Sequence, residues 1–268
     1  MCLILVAWRT HPDYPCIIAA NRDEFFERPS SVAHWWGEAP DILAGRDLEA
    51  GGTWLGVTRA RRFVALTNYR GAPEQRTDAP SRGLLVGEML RSEGPIEADL
   101  EHLRRKGGGY NAFNLMLADA DRLGVYESVR GAGRLLGPGI YGLSNHMLDT
   151  PWPKVRDGKT RLQAALGDLE DLEDPTRMLE LLRDDRPAND GELPRTGVDP
   201  AWERLLSSAF VRGDRYGTRC STVIRMRRSG RVSFDEWTWD RSGAPSGKSS
   251  FEFQTAPASG GKQRRSYP

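Results

Sequence analysis

Removal of Met1, which the small side chain of the next residue favours, leaves Cys2 carrying a thiol and a free α-amine on one carbon framework. An α-amine titrates at about 8 and a free thiol at about 8.5. One residue then holds a nucleophile together with its general base, as N-terminal threonine enzymes do. The chemistry this offers is acyl transfer. A second cluster, Asn21-Arg22-Asp23-Glu24, closes an apolar run. An Arg beside a nucleophilic Cys stabilises the thiolate, and an Asp there holds the α-amine or orients the thiol. Asn68, Asn145 and Arg219 stand where strands are expected to begin or end. A tetrahedral intermediate needs donors aimed at its oxyanion, each worth about 10²–10³ in rate. Asn side-chain N–H groups supply them without adding charge, although Asn at a strand end also serves as a turn residue. Asn21, Glu24, Trp54 and Tyr69 are the candidate substrate contacts, Trp54 because an aromatic ring beside a cleft suits an apolar acyl group.

These residues come together only if the elements place them so. Residues 3–8 and 16–20 are apolar throughout and read as a hairpin whose strands are covered on both faces. It would bring Cys2 to the same sheet end as Asn21–Glu24. A second strand pair is expected over 53–58 and 63–68, joined by the basic turn Arg59-Ala60-Arg61-Arg62, with a loop over 70–80. Ser81 reads as an N-cap before the stripe Leu84, Leu85, Met89 and Leu90, and a second helix fits 96–105. Strands over 112–118 and 123–128 follow, then helices over 159–166 and 176–182, a loop over 186–200, and strands over 221–226, 232–237 and 251–253. Strands at both ends with helices between them suggest an α+β sandwich. Residues 1–255 read as one domain, and residues 256–268, rich in Gly, Ser and Arg, as a disordered tail.

Composition narrows the function classes. In 268 residues, 38 basic and 37 acidic side chains nearly cancel, and no like-charge block suggests a nucleic-acid arm. Three cysteines make no disulfide framework; Cys16 and Cys220 read as small buried hydrophobes. The apolar start lacks the basic flank of a signal peptide. No run approaches the roughly 18 apolar residues needed to cross a bilayer, so a cytoplasmic protein without membrane insertion is expected. The four histidines show no metal-ligand spacing, and Gly137-Pro138-Gly139-Ile140-Tyr141-Gly142 matches a dinucleotide fingerprint only by letter, with no helix behind it. No metal and no cofactor is expected.

Met1-Cys2, Ala19-Ala20-Asn21-Arg22-Asp23-Glu24-Phe25-Phe26, Gly51-Gly52-Thr53-Trp54-Leu55-Gly56 and Leu66-Thr67-Asn68-Tyr69 resemble the NRDE family, which includes the transport and Golgi organisation protein 2 homologs. The resemblance continues through Tyr110-Asn111-Ala112-Phe113-Asn114-Leu115, Gly139-Ile140-Tyr141-Gly142-Leu143-Ser144-Asn145, Thr150-Pro151-Trp152-Pro153-Lys154 and Tyr216-Gly217-Thr218-Arg219. It implies an N-terminal-nucleophile (Ntn) hydrolase with a four-layer αββα sandwich. It also implies Cys2, Arg22, Asp23, Asn68, Asn145 and Arg219 as the catalytic set. In the cysteine acylases of that superfamily the early Arg and Asp lie further apart. Adjacent strand residues point to opposite faces, so Arg22 and Asp23 both face Cys2 only across a turn or bulge. The ligand implied is a small acyl substrate, an amide or a thioester. The alternative, also from the resemblance, is a ligand-handling protein for haem or acyl-CoA, with Arg22, Arg219 and the turn at 59–62 meeting phosphates or propionates.

Overall fold

The computed structural model describes residues 2–71 and 75–255. The tail expected over 256–268 and part of the loop expected over 70–80 lie outside them. The first half of the chain runs β1 (Cys2–Trp8), β2 (Cys16–Phe25), β3 (Ser30–Trp36), β4 (Ala39–Asp47), β5 (Leu55–Thr58), β6 (Phe63–Asn68), α1 (Arg82–Arg91) and α2 (Ile96–Lys106). Four strands follow, β7 (Phe113–Ala118), β8 (Leu123–Glu127), β9 (Ala132–Leu136) and β10 (Gly139–Leu143). The helices α3 (Pro153–Ala165), α4 (Leu169–Glu173), α5 (Pro175–Glu180) and α6 (Pro200–Leu205) precede β11 (Tyr216–Met226), β12 (Arg231–Trp239) and β13 (Pro245–Gln254).

Among the described residues the strands form two antiparallel sheets, giving mixed α and β structure. The six-stranded sheet has the order β10-β1-β2-β11-β12-β13, and the seven-stranded sheet runs from β3 to β9 in sequence order. The uniformly apolar character of β1 and β2 follows from what covers them. Ile4, Val6, Cys16, Ile18 and Ala20 pack between the sheets against Leu55, Val57, Phe63 and Met116. Their neighbours Leu3, Leu5, Ile17 and Ala19 pack against Val155 and Leu162 of α3 and Met178 and Leu179 of α5. The far face of the second sheet is covered by α1 and α2, through Leu85, Met89, Ile96 and Leu103.

Four strands escape the sequence reading, each for a physical reason. β3 shifts register against β4 twice, between Ser31 and His34 and between Trp35 and Trp36, which destroys its alternation. β4 carries Pro40 and the charged residues Asp41, Arg46 and Asp47 among its apolar residues. β9 and β10 are edge strands, and the exposure of β9 at most positions leaves no apolar pattern. α3 begins at Pro153, six residues before the expected start, because its first turn is a Trp-Pro-Lys sequence that resembles a loop. Ser81 does precede α1, but its side chain makes no capping hydrogen bond. No described helix is long and apolar enough to cross a membrane.

Candidate functional site

The hairpin register sets Cys2 directly opposite Arg22, and the next strand sets Arg22 opposite Cys220. Opposed residues of antiparallel strands share a face, so the three form a row facing the second sheet, alongside Ile4 and Ala20. All three are buried. The row walls a cavity of about 340 Å³ between the sheets. Its other walls are Ser31 of β3, Arg46 and Asp47 of β4, Leu66 and Asn68 of β6, Ser81–Gly83 at the start of α1, and Glu236 and Thr238 of β12.

The irregularity expected in β2 lies instead in its partner. β2 runs straight through Asn21–Glu24, while β11 slips register between Thr218 and Cys220, with Arg219 as the extra residue. The slip aims Arg219 at the cavity mouth, where its guanidinium donates to the carbonyls of Phe25 (2.8 Å) and Arg28 (3.0 Å). Alternation along β2 turns Asn21 and Asp23 towards the helices that cover β1 and β2. Asp23 still reaches the cavity rim. Its carboxylate accepts from the Thr218 hydroxyl at 2.7 Å, and its carbonyl accepts from the Tyr216 hydroxyl at 2.7 Å.

Burial pushes the Cys2 thiol up, the Asp23 charge adds to the rise, and Arg22 and the Asp23 backbone N–H oppose it. Desolvation outweighs the stabilisation that the Arg22 charge offers the thiolate. Asp23 is itself held above the usual carboxylate range by burial, against the pull of Lys154 and Thr218. Arg22 is 8% exposed, and its guanidinium makes no hydrogen bond or ion pair with any described residue.

Asn68, Glu24, Trp54 and Arg219 line the cavity with Cys2, Arg22 and Asp23. Asn21, Asn145 and Tyr69 do not. Asn21 is fully buried, donating to the carbonyls of Leu182 (2.9 Å) and Ala209 (2.8 Å) and accepting from Ser221. Its polar atoms tie β2 to the segments after α5 and after α6, so it is a structural bridge. Asn145 donates to the Asn68 carbonyl at 2.8 Å, and its own carbonyl accepts from Arg70 N–H at 2.7 Å. It thus braces the strand end that presents Asn68. The Tyr69 ring packs on His146 with centroids 5.0 Å apart. The basic turn at 59–62 stands at the far end of β5 and β6 from the cavity. There Arg62 pairs with Asp99 and Arg59 lies 3.9 Å above the Trp35 ring.

Two residues that sequence reasoning passed over belong here. Glu236 accepts from the Ala33 N–H at 2.7 Å, and its only outward signal was an acid pair inside an apolar strand. Lys154 is buried, and its first-turn position was hidden by the late helix start.

The fold and site define a class: a two-sheet α and β protein whose first strand presents a cysteine opposite an arginine that has no partner among the described residues, on the wall of a polar inter-sheet cavity. A family model described as Transport and Golgi organisation 2 matches residues 1–241, and the chain belongs to that family. The Transport and Golgi organization 2 homolog of Mus musculus is 36% identical over 259 residues, covering 88% of this chain and 92% of the mouse protein. The Homo sapiens homolog is 36% identical over 256 residues, with 88% and 92% covered. The Drosophila melanogaster protein is 30% identical over 267 residues, with 89% and 92% covered. Among solved structures, the Caenorhabditis elegans ortholog of N-acylethanolamine-hydrolyzing acid amidase is similar at 13% identity and a TM-score of 0.46, covering 83% of this chain and 92% of that one.

Proposed function

We propose that this protein is an N-terminal-cysteine hydrolase that cleaves an amide or thioester acyl substrate once Met1 is removed, on an Ntn-type four-layer αββα sandwich spanning residues 1–255. The observation that carries the reading is the in-register pair of Cys2 and Arg22 on the cavity wall, Arg22 having no partner among the described residues. In the reaction, the Cys2 α-amine takes the thiol proton as sulfur attacks the carbonyl carbon. Burial raises the Cys2 thiol, which favours proton transfer to the amine in step with attack. Asn68 donates to the oxyanion; its side-chain amide makes no hydrogen bond with any described residue and so is free for the substrate. The amine returns the proton to the leaving nitrogen or sulfur, and water then hydrolyses the acyl-cysteine. Arg22 balances negative charge at sulfur, and Asp23 orients the amine.

A second reading is favoured by one observation. Arg22, Arg82 and Arg219 line the cavity and pair with no carboxylate among the described residues. Such a cavity suits the phosphates or propionates of acyl-CoA or haem, bound without turnover. The intact mass of the purified protein and a Cys2→Ala comparison separate the two. Hydrolysis requires loss of Met1, release of acid from acyl amides or thioesters, and no release by Cys2→Ala. Iodoacetamide should also label Cys2 ahead of Cys16, whose thiol burial pushes up to about 12, and of Cys220, which burial also raises. Retained Met1, or turnover that survives Cys2→Ala, overturns the hydrolase and leaves ligand binding.

A further inference from the structure

The two groups that must meet at a substrate carbonyl stand on different sheets. Cys2 begins β1 of the six-stranded sheet, and Asn68 ends β6 of the seven-stranded one. Sulfur and oxyanion donor keep a fixed separation only if something ties these two strand ends together. A misplacement of about 1 Å between reacting groups can cost about 10²-fold in rate.

The tie is the dipeptide Ser144-Asn145. β10 pairs with β1 as far as Leu143 opposite Ile4, and there the ladder stops. The next residue turns its polar atoms across the gap between the sheets. The Ser144 hydroxyl donates to the Cys2 carbonyl at 3.0 Å and lies 3.3 Å from Asn145 Oδ1. The Ser144 carbonyl accepts from the hydroxyl of Thr67, the residue before Asn68 on β6, at 2.6 Å. Thr67 is fixed in turn by Asn114 of β7, whose amide donates to it at 3.2 Å and to the His146 carbonyl at 2.8 Å. Asn145 closes the link through its bond to the Asn68 carbonyl. Thr67, Asn114, Ser144 and Asn145 are all buried, so these bonds form away from water, where each is stronger.

We propose that Ser144 is a positioning residue for the chemistry of Cys2. By holding the Cys2 carbonyl while its own backbone is held by β6, it sets the nucleophile at attack distance from a carbonyl bound by Asn68. The inference rests on the reading of Cys2 as nucleophile and Asn68 as oxyanion donor. Ser144 is not among the residues that line the cavity, so it acts through Cys2 rather than on the substrate.

The test compares two reactions of one sulfur, in protein whose mass shows Met1 removed. Acylation by p-nitrophenyl acetate passes through a tetrahedral intermediate and is read as nitrophenolate release above that of Cys2→Ala. Alkylation by iodoacetamide displaces iodide, needs no oxyanion donor and is read by peptide mass spectrometry. Ser144→Ala should slow acylation about tenfold, less than an amide would show because the nitrophenolate leaving group is activated. It should change alkylation by less than about twofold, since that reaction needs no alignment with Asn68. Ser144→Thr, which keeps the hydroxyl, should recover most of the acylation rate. In an Asn68→Ala background, Ser144→Ala should cost less than about twofold, because the donor it aligns with is gone. Thr67→Val cuts the bond on the other side of the same dipeptide and should also slow acylation selectively, which keeps the test available if Ser144→Ala folds poorly. A folded Ser144→Ala protein that acylates as wild type does overturns the proposal, as does equal slowing of both reactions by either variant. An undiminished loss in the Asn68→Ala background overturns the alignment with Asn68. Nitrophenolate release that survives Cys2→Ala in full brings down the nucleophile reading, and this inference with it.

Discussion

Asn68 and Asn145 are close neighbours with different work. Asn68 lines the cavity with its amide unbonded among the described residues, whereas Asn145 spends its own on the Asn68 carbonyl. Asn68→Ala should therefore lower kcat about 10²–10³-fold with little change in KM, the signature of a contact made only in the transition state. Asn145→Ala acts by loosening the strand end that holds Asn68. It should cost less in kcat than Asn68→Ala and should lower the thermal midpoint as well. Equal kinetic losses without destabilisation would return Asn145 to direct contact with the oxyanion. The catalytic candidates could be found in the sequence because each polar residue interrupts an apolar run at a strand end. Glu236 could not: it sits inside a strand where alternation promised only packing.

At the scale of elements, the cavity depends on how tightly α1 is seated. Gly52 and Gly83 bring two backbones into contact, with Thr53 N–H bonded to the Gly83 carbonyl at 3.2 Å. A Cβ on Gly83 would stand 2.9 Å from the Thr53 carbonyl oxygen, an atom that cannot turn aside. Gly83→Ala should push the start of α1 off the cavity rim and cost about 1–3 kcal/mol. Urea unfolding measures that cost, and an unchanged midpoint would mean that the two segments separate freely. Gly83 and Gly87 lower the helix propensity of α1, although Gly83 is what lets it pack against Thr53. Elements apolar on every face, such as β1, β2 and β6, were legible because burial alone specifies them. The bulged β3 and the edge strands β9 and β10 were not, because their form comes from neighbours remote in sequence.

Across the whole molecule, Glu236 joins the sheets: a carboxyl on β12 takes the backbone N–H of Ala33 on β3. Burial holds this carboxyl above its ordinary 4.5, opposed by the Ala33 N–H and the Arg22 charge. An acid raised on folding favours the folded state most below its unfolded value, and that contribution is lost as pH climbs through the folded one. Glu236→Gln keeps a carbonyl acceptor and removes the titration. Its melting temperature should fall less than that of wild type between about pH 5 and pH 8. Parallel melting curves for the two proteins would show that Glu236 stays in one protonation state throughout.

The register of β1, β2 and β11 is also a ruler. Cys2 and Cys220 flank Arg22 from the two neighbouring strands, which sets their backbones about 10 Å apart. That is too far for a disulfide, but within the span of a short bis-maleimide. Such a reagent would staple the first strand of the chain to one more than two hundred residues later, across the floor of the cavity. Whatever molecule occupies that floor should block the staple, so an unknown ligand could be recognised by protection before its identity is known.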